Sequence, residues 1–138
     1  MEIKEVIQKI KTEVQKIYSD LSSEMPSDSD PQSIAQVKRI ASVASANATQ
    51  LALYLKELTA YKKKREAEIT LKALDEGLKT PKEAHLKALL KSELADVYAY
   101  EELCSNVLDI CKQRVVLAQS FLKVANTEGM TNRGAALY

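Results

Sequence analysis

The chain has 138 residues, with 20 Lys and Arg against 19 Asp and Glu, so its formal net charge is only +1. Hydrophobic residues make up 46% and charged residues 28%, which is enough apolar material for one folded domain. Three Gly and three Pro cannot supply the frequent turns of an all-β fold. One His and two Cys leave almost no ligands for a His-based metal site or a disulfide scaffold. The composition therefore favours a helical binding protein over an enzyme.

Residues 1–24 predict an amphipathic helix, and residues 25–31 predict an acidic linker that contains Ser and Pro. In the linker, Asp30 followed by Pro31 indicates an N-cap with proline at the first helical position. The helix is predicted from apolar residues that recur at spacings of three and four, with lysines and acids between them. This apolar stripe consists of Ile7, Ile10, Val14, Ile17 and Leu21.

Residues 32–126 predict a long helical hairpin. No helix breaker appears from Pro31 until Gly77, and a capping sequence at residues 80–83 places the turn near residues 77–80. The third helix is expected to run from Pro81 to about Ala125. Two long helices with so short a connection fold back antiparallel. Residues 127–138 show no periodicity and receive no assignment, so the predicted fold is all-α: a hairpin plus a shorter N-terminal helix.

The third helix carries two adjoining apolar seams. One seam has heptad spacing and is broken only by Glu101, and the other runs from Leu103 to Val124. A partner helix covers one seam, so this face needs helices one and two together, or further copies of the chain. Since such long helices make a poor globule in a short chain, we predict a homo-oligomeric bundle or ring. The expected core and oligomer positions are Leu94, Val97, Cys104, Leu108, Cys111, Val115 and Leu122.

Basic residues are concentrated in the half of the hairpin nearest its turn. Residues 32–95 hold twelve Lys and Arg against seven acids, whereas residues 1–31 hold four against seven. One hypothesis is a single-stranded nucleic-acid surface, in which cations contact phosphates and Tyr61 stacks on a base. The alternative is a solvated helix face that keeps an elongated bundle in solution. The candidate binding residues are Lys56, Tyr61, Lys62, Lys63, Lys64, Arg65, Lys72, Lys79 and Lys82.

Other chemistry-bearing residues favour structural roles. His85 has no second His or Cys at ligand spacing, so we expect a surface histidine and no metal site. Cys104 and Cys111 occupy seam positions two helical turns apart, about 10 Å, which is too far for a disulfide. No phosphate-binding loop, nucleophile elbow or spaced carboxylate pair is present. We therefore expect no catalysis and no cofactor.

The compartment is predicted from the same features. The charged N-terminus has no apolar signal segment, and no apolar run approaches the roughly 18 residues of a membrane span. Together with reduced cysteines, this indicates a cytoplasmic protein without membrane contact.

A family resemblance covers roughly residues 46–125. It rests on Ala46-Asn47-Ala48, on the segment from Leu53 to Leu58 followed by the Lys-rich stretch, and on the segments 71–75 and 100–114. These segments read Leu-Tyr-Leu-Lys-Glu-Leu, Leu-Lys-Ala-Leu-Asp, and Tyr100 followed by Leu-Cys-Ser-Asn-Val-Leu-Asp and Lys-Gln-Arg. In this order they resemble the UvsY-like recombination mediators of T-even phages.

The resemblance implies a ring-like helical oligomer that binds single-stranded DNA and has no catalytic activity. Such a mediator helps a phage recombinase replace the single-stranded DNA-binding protein, in the cytoplasm of the host cell. Lys72 matches the lysine of the family's Leu-Lys-Ala-Arg-Leu-Asp segment. The arginine of that segment is absent here, so its role would fall to residues 62–65 or to Lys79.

A second hypothesis is a non-catalytic phage-type interaction or inhibitor protein, such as an anti-defence protein, that binds a partner through its wide apolar face. The acidic segment 24–30 would then matter more than the lysines. The two hypotheses differ in whether self-association covers the double seam of the third helix.

Overall fold

The computed structural model describes residues 2–21, 26, 30–75 and 83–136. Within these residues the chain forms three helices and no strand: α1 (Ile3–Leu21), α2 (Pro31–Asp75) and α3 (Glu83–Ala136). This confirms the predicted all-α fold, a long hairpin with a shorter N-terminal helix. The oligomer stays a prediction. The predicted turn near residues 77–80 and most of the acidic linker lie outside the described residues.

Local sequence signals explain where α2 begins. The backbone N–H of Ser33 donates to Asp30 Oδ1 at 2.8 Å, and that of Ile34 donates to the Asp30 carbonyl oxygen at 2.9 Å. Asp30 is therefore the predicted N-cap, and Pro31 takes the first helical position, where its missing N–H costs no hydrogen bond.

The backbone of α3 differs from the prediction at two places. It continues as helix to Ala136, through the segment that lacks periodicity, instead of ending near Ala125. It also bends at Leu94, whose φ of −114° and ψ of 18° are not helical. Neither Pro nor Gly lies near Leu94 in the sequence, so the bend is not a proline kink.

Contacts along the hairpin fix the directions of the helices. Cys104 contacts Leu51, and Tyr98 contacts Glu66, so α2 and α3 run antiparallel. Along α1, Lys11 lies over the ring of Tyr100 at 5.4 Å, and the Asp20 carbonyl oxygen accepts from Arg114 Nη2 at 3.4 Å. Helix α1 therefore runs in the same direction as α3.

The length of α1 divides the hairpin into sections. Its 19 residues span roughly 28 Å, less than half of α2 or α3. We call the part alongside α1 the three-helix section (residues 3–21, 39–61 and 97–114). The part between α1 and the turn is the distal section (residues 62–75 and 84–96). The opposite end is the proximal section (residues 31–38 and 115–126).

The heptad-spaced seam of α3 contributes most of its residues to the core, whereas the second seam leaves Leu117 and Val124 exposed. Five of the seven predicted core residues are buried, whereas Val115 and Leu122 are half-buried. In α1, Val6 is fully buried and Ile7 is only half-buried. The buried stripe therefore begins one residue earlier than predicted. Residues from all three helices join one hydrophobic cluster, which includes Ile10, Leu51, Leu58, Cys104 and Val107.

Candidate nucleic-acid interface

The predicted cations divide into two groups. Lys62 and Arg65 form salt bridges within the hairpin. In contrast, four lysines are exposed and make no ion pair within the described residues. This second group comprises Lys56, Lys63, Lys64 and Lys72. Lys79 and Lys82 lie outside the described residues.

Lys62 belongs to a polar network at the junction of the three-helix and distal sections. Its Nζ donates to Glu101 Oε1 at 2.8 Å, and Thr59 Oγ1 donates to Glu101 Oε2 at 3.0 Å. The side chains of Lys62 and Glu101 are each 22% exposed, so the pair is screened less than a surface pair. Glu101, which interrupts the apolar seam, therefore accepts hydrogen bonds from two donors of α2 and links the two helices.

Arg65 connects acids on both helices. Its Nη1 donates to Glu68 Oε2 at 2.8 Å, and its Nη2 donates to Glu93 Oε2 at 3.3 Å. The hydrogen bond to Glu68 raises the pKa of Arg65, and the negative charges of Glu68 and Glu93 add to this effect. Because Arg65 is held between two carboxylates, its capacity to neutralise a phosphate is reduced.

The tyrosines near the basic stretch take part in packing. Tyr61, the predicted stacking residue, is half-buried and lies against the hydrophobic cluster, as does Tyr54. Tyr98 OH donates to Glu66 Oε1 at 2.8 Å. Desolvation raises the pKa of Tyr98 to about 12, with further contributions from this hydrogen bond and from the charges of Glu66 and Glu101.

A shallow groove lies beside two of the exposed lysines. Lys56 and Lys63 line it, seven residues apart on α2, which corresponds to about 10.5 Å along the helix. The rest of the lining is small or apolar: Ala52, Leu55, Thr59, Ala60 and Leu108. A second groove shares Leu55 and Thr59 with the first and is also lined by Tyr98, Ser105 and Asn106. Its charged lining is Lys62, Glu101 and Glu102, so the exposed lysines lie at the first groove and the acids at the second. We call the two grooves together the track.

The cysteines and His85 lie apart from this track. Both thiols are free and buried, as predicted. Cys104 Sγ donates to the Leu51 carbonyl oxygen at 3.3 Å, and burial raises the pKa of its thiol to about 11. Burial also raises the pKa of Cys111, to which the charge of Glu13 contributes. His85 is exposed, and the described residues contain no group of three or more His, Cys, Asp and Glu that would hold a metal ion.

Sequence reasoning did not find the groove or the partners of Lys62 and Arg65. Both depend on which residues of α3 face α2, and the spacing within either helix does not contain this information. One signal was available: Glu101 interrupts a regular apolar seam, and such a residue at a buried position requires donors on the facing helix.

Comparison of the chain with protein-family models, curated protein sequences and solved structures finds no match in any of the three. Among the helices of the described residues, none carries a stretch that is both long and apolar enough to cross a membrane.

Proposed function

We propose that this protein is a non-catalytic, oligomeric recombination mediator that binds single-stranded DNA. It would help load a recombinase onto DNA by displacing the single-stranded DNA-binding protein. The observation that carries the proposal is the set of exposed lysines beside the groove, above all Lys56 and Lys63, which have no ion-pair partner among the described residues. The two buried cysteines carry free thiols, which suits a reducing cytoplasm. If the protein is phage-encoded, this would be the cytoplasm of the host cell.

The geometry supports a sequence-independent mode of binding. Lysine ammonium groups neutralise phosphates as flexible point charges, without reading base edges. The apolar floor between Lys56 and Lys63 offers contact area to unstacked bases, which a duplex keeps within its stack. Since Tyr61 is half-buried in the packing, we assign the bases to this floor instead of to a tyrosine platform.

The test is fluorescence anisotropy of a labelled single-stranded oligonucleotide over a salt series, with duplex DNA as competitor. Binding should weaken steeply with salt and resist the competitor. In the variant Lys63→Ala/Lys64→Ala, the slope of log K against log salt should fall by about 0.7 for each lost phosphate contact.

Lys62→Ala is the matched control, because the ammonium of Lys62 is already held by Glu101. Its slope should stay close to that of the parent chain. No binding at low salt, or equal slopes for the double variant and the parent, would reject the DNA-binding proposal.

Self-association is the second part of the proposal, and exposed apolar residues in the proximal half of α3 support it. Helix α1 ends at Leu21, and near its end Asp20 contacts Arg114 of α3. Beyond Arg114, Leu117 is 62% exposed and Val124 is 58% exposed, beside Val116 at 59%. Sedimentation velocity should show an oligomer that the variant Leu117→Lys dissociates, with the helical circular dichroism signal retained. A parent chain that remains monomeric at high concentration would contradict this part.

The same exposed residues favour a second candidate function, a phage-type interaction or inhibitor protein that uses helical contacts with another protein. A monomer that exposes this apolar surface and does not bind DNA at low salt would support this function over the mediator.

A further inference from the structure

A pocket separate from the basic groove lies at the end of α1, where all three helices meet. It has a volume of ≈ 160 Å³. Leu21, Ile40 and Val43 supply apolar lining from α1 and α2, and the wall of α3 is formed by Cys111 and Arg114. We call this cavity the junction pocket.

Asn47 supplies a side-chain amide to the wall of the junction pocket. The residue is only 5% exposed, and its side chain forms no hydrogen bond among the described residues. No fully buried side-chain nitrogen or oxygen in the described residues lacks a partner, so the amide of Asn47 stays open to the space of the pocket. It can both donate to and accept from a bound molecule, as pairing with a peptide bond requires.

The charges at the pocket favour an anionic ligand. Arg39 is exposed and makes no ion pair within the described residues, and Arg114 donates to the Asp20 carbonyl oxygen at 3.4 Å. Asp20 also lines the pocket, so the lining contains two arginines and one aspartate. A guanidinium binds a carboxylate through paired, charge-assisted hydrogen bonds.

We propose that the junction pocket binds an acidic peptide of a protein partner. An apolar side chain of the peptide enters the space beside Leu21, Ile40 and Val43. The amide of Asn47 pairs with the peptide backbone, and a neighbouring carboxylate binds Arg39. The proposal does not depend on DNA binding, because Lys56 and Lys63 line a different groove.

The test uses a fluorescein-labelled Ser-Gly-Asp-Asp-Phe peptide with a free carboxyl terminus and the full chain, followed by fluorescence anisotropy. We expect saturable binding that is lost when Phe is replaced by Ser, and also when both Asp become Asn and the terminus is amidated. In the chain, Arg39→Ala should weaken binding about tenfold, the scale of one charge-assisted hydrogen bond. Val43→Glu should also weaken it, by placing a second carboxylate at the pocket.

Lys63→Ala/Lys64→Ala is the matched control, since it removes two exposed cations from the other surface. This variant should keep its affinity for the peptide and bind DNA more weakly. Arg39→Ala should bind the peptide more weakly and keep its affinity for DNA. Failure of the peptide to bind would overturn the pocket proposal and leave the DNA proposal standing. Equal peptide affinity for Arg39→Ala and the parent would also overturn it, provided that circular dichroism shows both to be folded.

Two further outcomes would reassign the junction pocket. Competition between the peptide and an oligonucleotide in the Lys63→Ala/Lys64→Ala variant would assign it to nucleic acid. Tighter peptide binding by the variants Glu24→Gln or Met25→Ser would assign it to this chain's own acidic segment, which follows α1 directly in the sequence. Either result overturns an acidic partner peptide as the occupant.

Discussion

The three-helix section and the distal section contain the same two helices of the hairpin, but different interactions stabilise them. Alongside α1, Leu51, Leu58 and Cys104 are all 0% exposed. In the distal section only α2 and α3 pack on each other, and Arg65 bridges them through Glu93 on their exposed side. The comparison indicates that α1 supplies the third wall of a closed core. Where α1 is absent, α2 and α3 still bury Ile69, Ala73 and Leu94, and charged side chains occupy the outer surface.

The largest expected effect comes from truncating a core residue in each section. Leu58→Ala in the three-helix section should lower the free energy of unfolding by about 2–5 kcal/mol, because three helices hold the cavity open. Ile69→Ala, 5% exposed in the distal section, should stay near the lower end of that range, because two helices can close on the space.

Urea unfolding followed by circular dichroism measures both values. The surface control is Leu53→Ala, 54% exposed, which should change the free energy of unfolding by no more than about 0.5 kcal/mol. If Ile69→Ala costs as much as Leu58→Ala, the two sections do not differ in packing as we infer.

The network at the junction of the two sections should give a smaller effect. Glu101→Ala removes the acceptor of Thr59 and Lys62 and leaves a part-buried ammonium unpaired, so we expect a loss of about 1.5–3 kcal/mol. The matched control is Glu102→Ala, because Glu102 is the exposed residue next to Glu101. This variant should hardly change the free energy of unfolding.

A double-mutant cycle separates the pair from the rest of the network. Lys62→Ala combined with Glu101→Ala should cost less than the sum of the single variants, because neither charge is then left alone. Strict additivity would show that the 2.8 Å contact contributes no coupling.

The smallest effect concerns alkaline stability at the boundary of the two sections, where Tyr98 of the three-helix section donates to Glu66 of the distal section. The pKa of Tyr98 is raised from 10.0 to about 12, so the folded protein holds this proton more tightly than the unfolded chain. The resulting stabilisation is fully present below pH 10 and is lost as the pH rises toward 12. Tyr98→Phe lacks this ionisation and should show a shallower loss in urea unfolding over the same interval.

The comparison with Tyr98→Phe is needed because the buried thiol of Cys104, whose pKa is raised to about 11, also ionises at high pH. It does so in the parent chain and in the variant alike. The loss of stability from its ionisation begins at a lower pH and cancels in the difference. Parallel curves for the two chains above pH 10 would mean that neither burial nor the hydrogen bond to Glu66 raises the pKa of Tyr98 in the folded protein.

Much of the fold was predictable because its signals are local. Asp30 and Pro31 mark the start of α2 through capping chemistry, which involves only neighbouring residues. The seam of α3 was predictable from heptad spacing, and Cys104 and Cys111 are buried where that spacing put them. In contrast, no periodic pattern of apolar residues predicts that α3 continues to Ala136.

The candidate site was only partly predictable. The sequence shows that residues 62–65 are cations, but it does not show which of them α3 engages. Lys62 and Arg65 are bound by Glu101 and Glu93, which lie far along the chain, whereas Lys63 is turned toward a groove. Successive helical residues point about 100° apart, so one lysine meets the facing helix while the next meets solvent.

The sequence by itself determined that the described residues form three helices, because apolar period, caps and helix breakers are properties of neighbouring residues. Only the tertiary structure decided how far α1 extends along the hairpin, which lysines stay exposed, and that Asn47 lines a pocket. These features arise where side chains from different helices meet. Their positions depend on the relative rotation and axial offset of the helices, and local interactions do not fix either quantity.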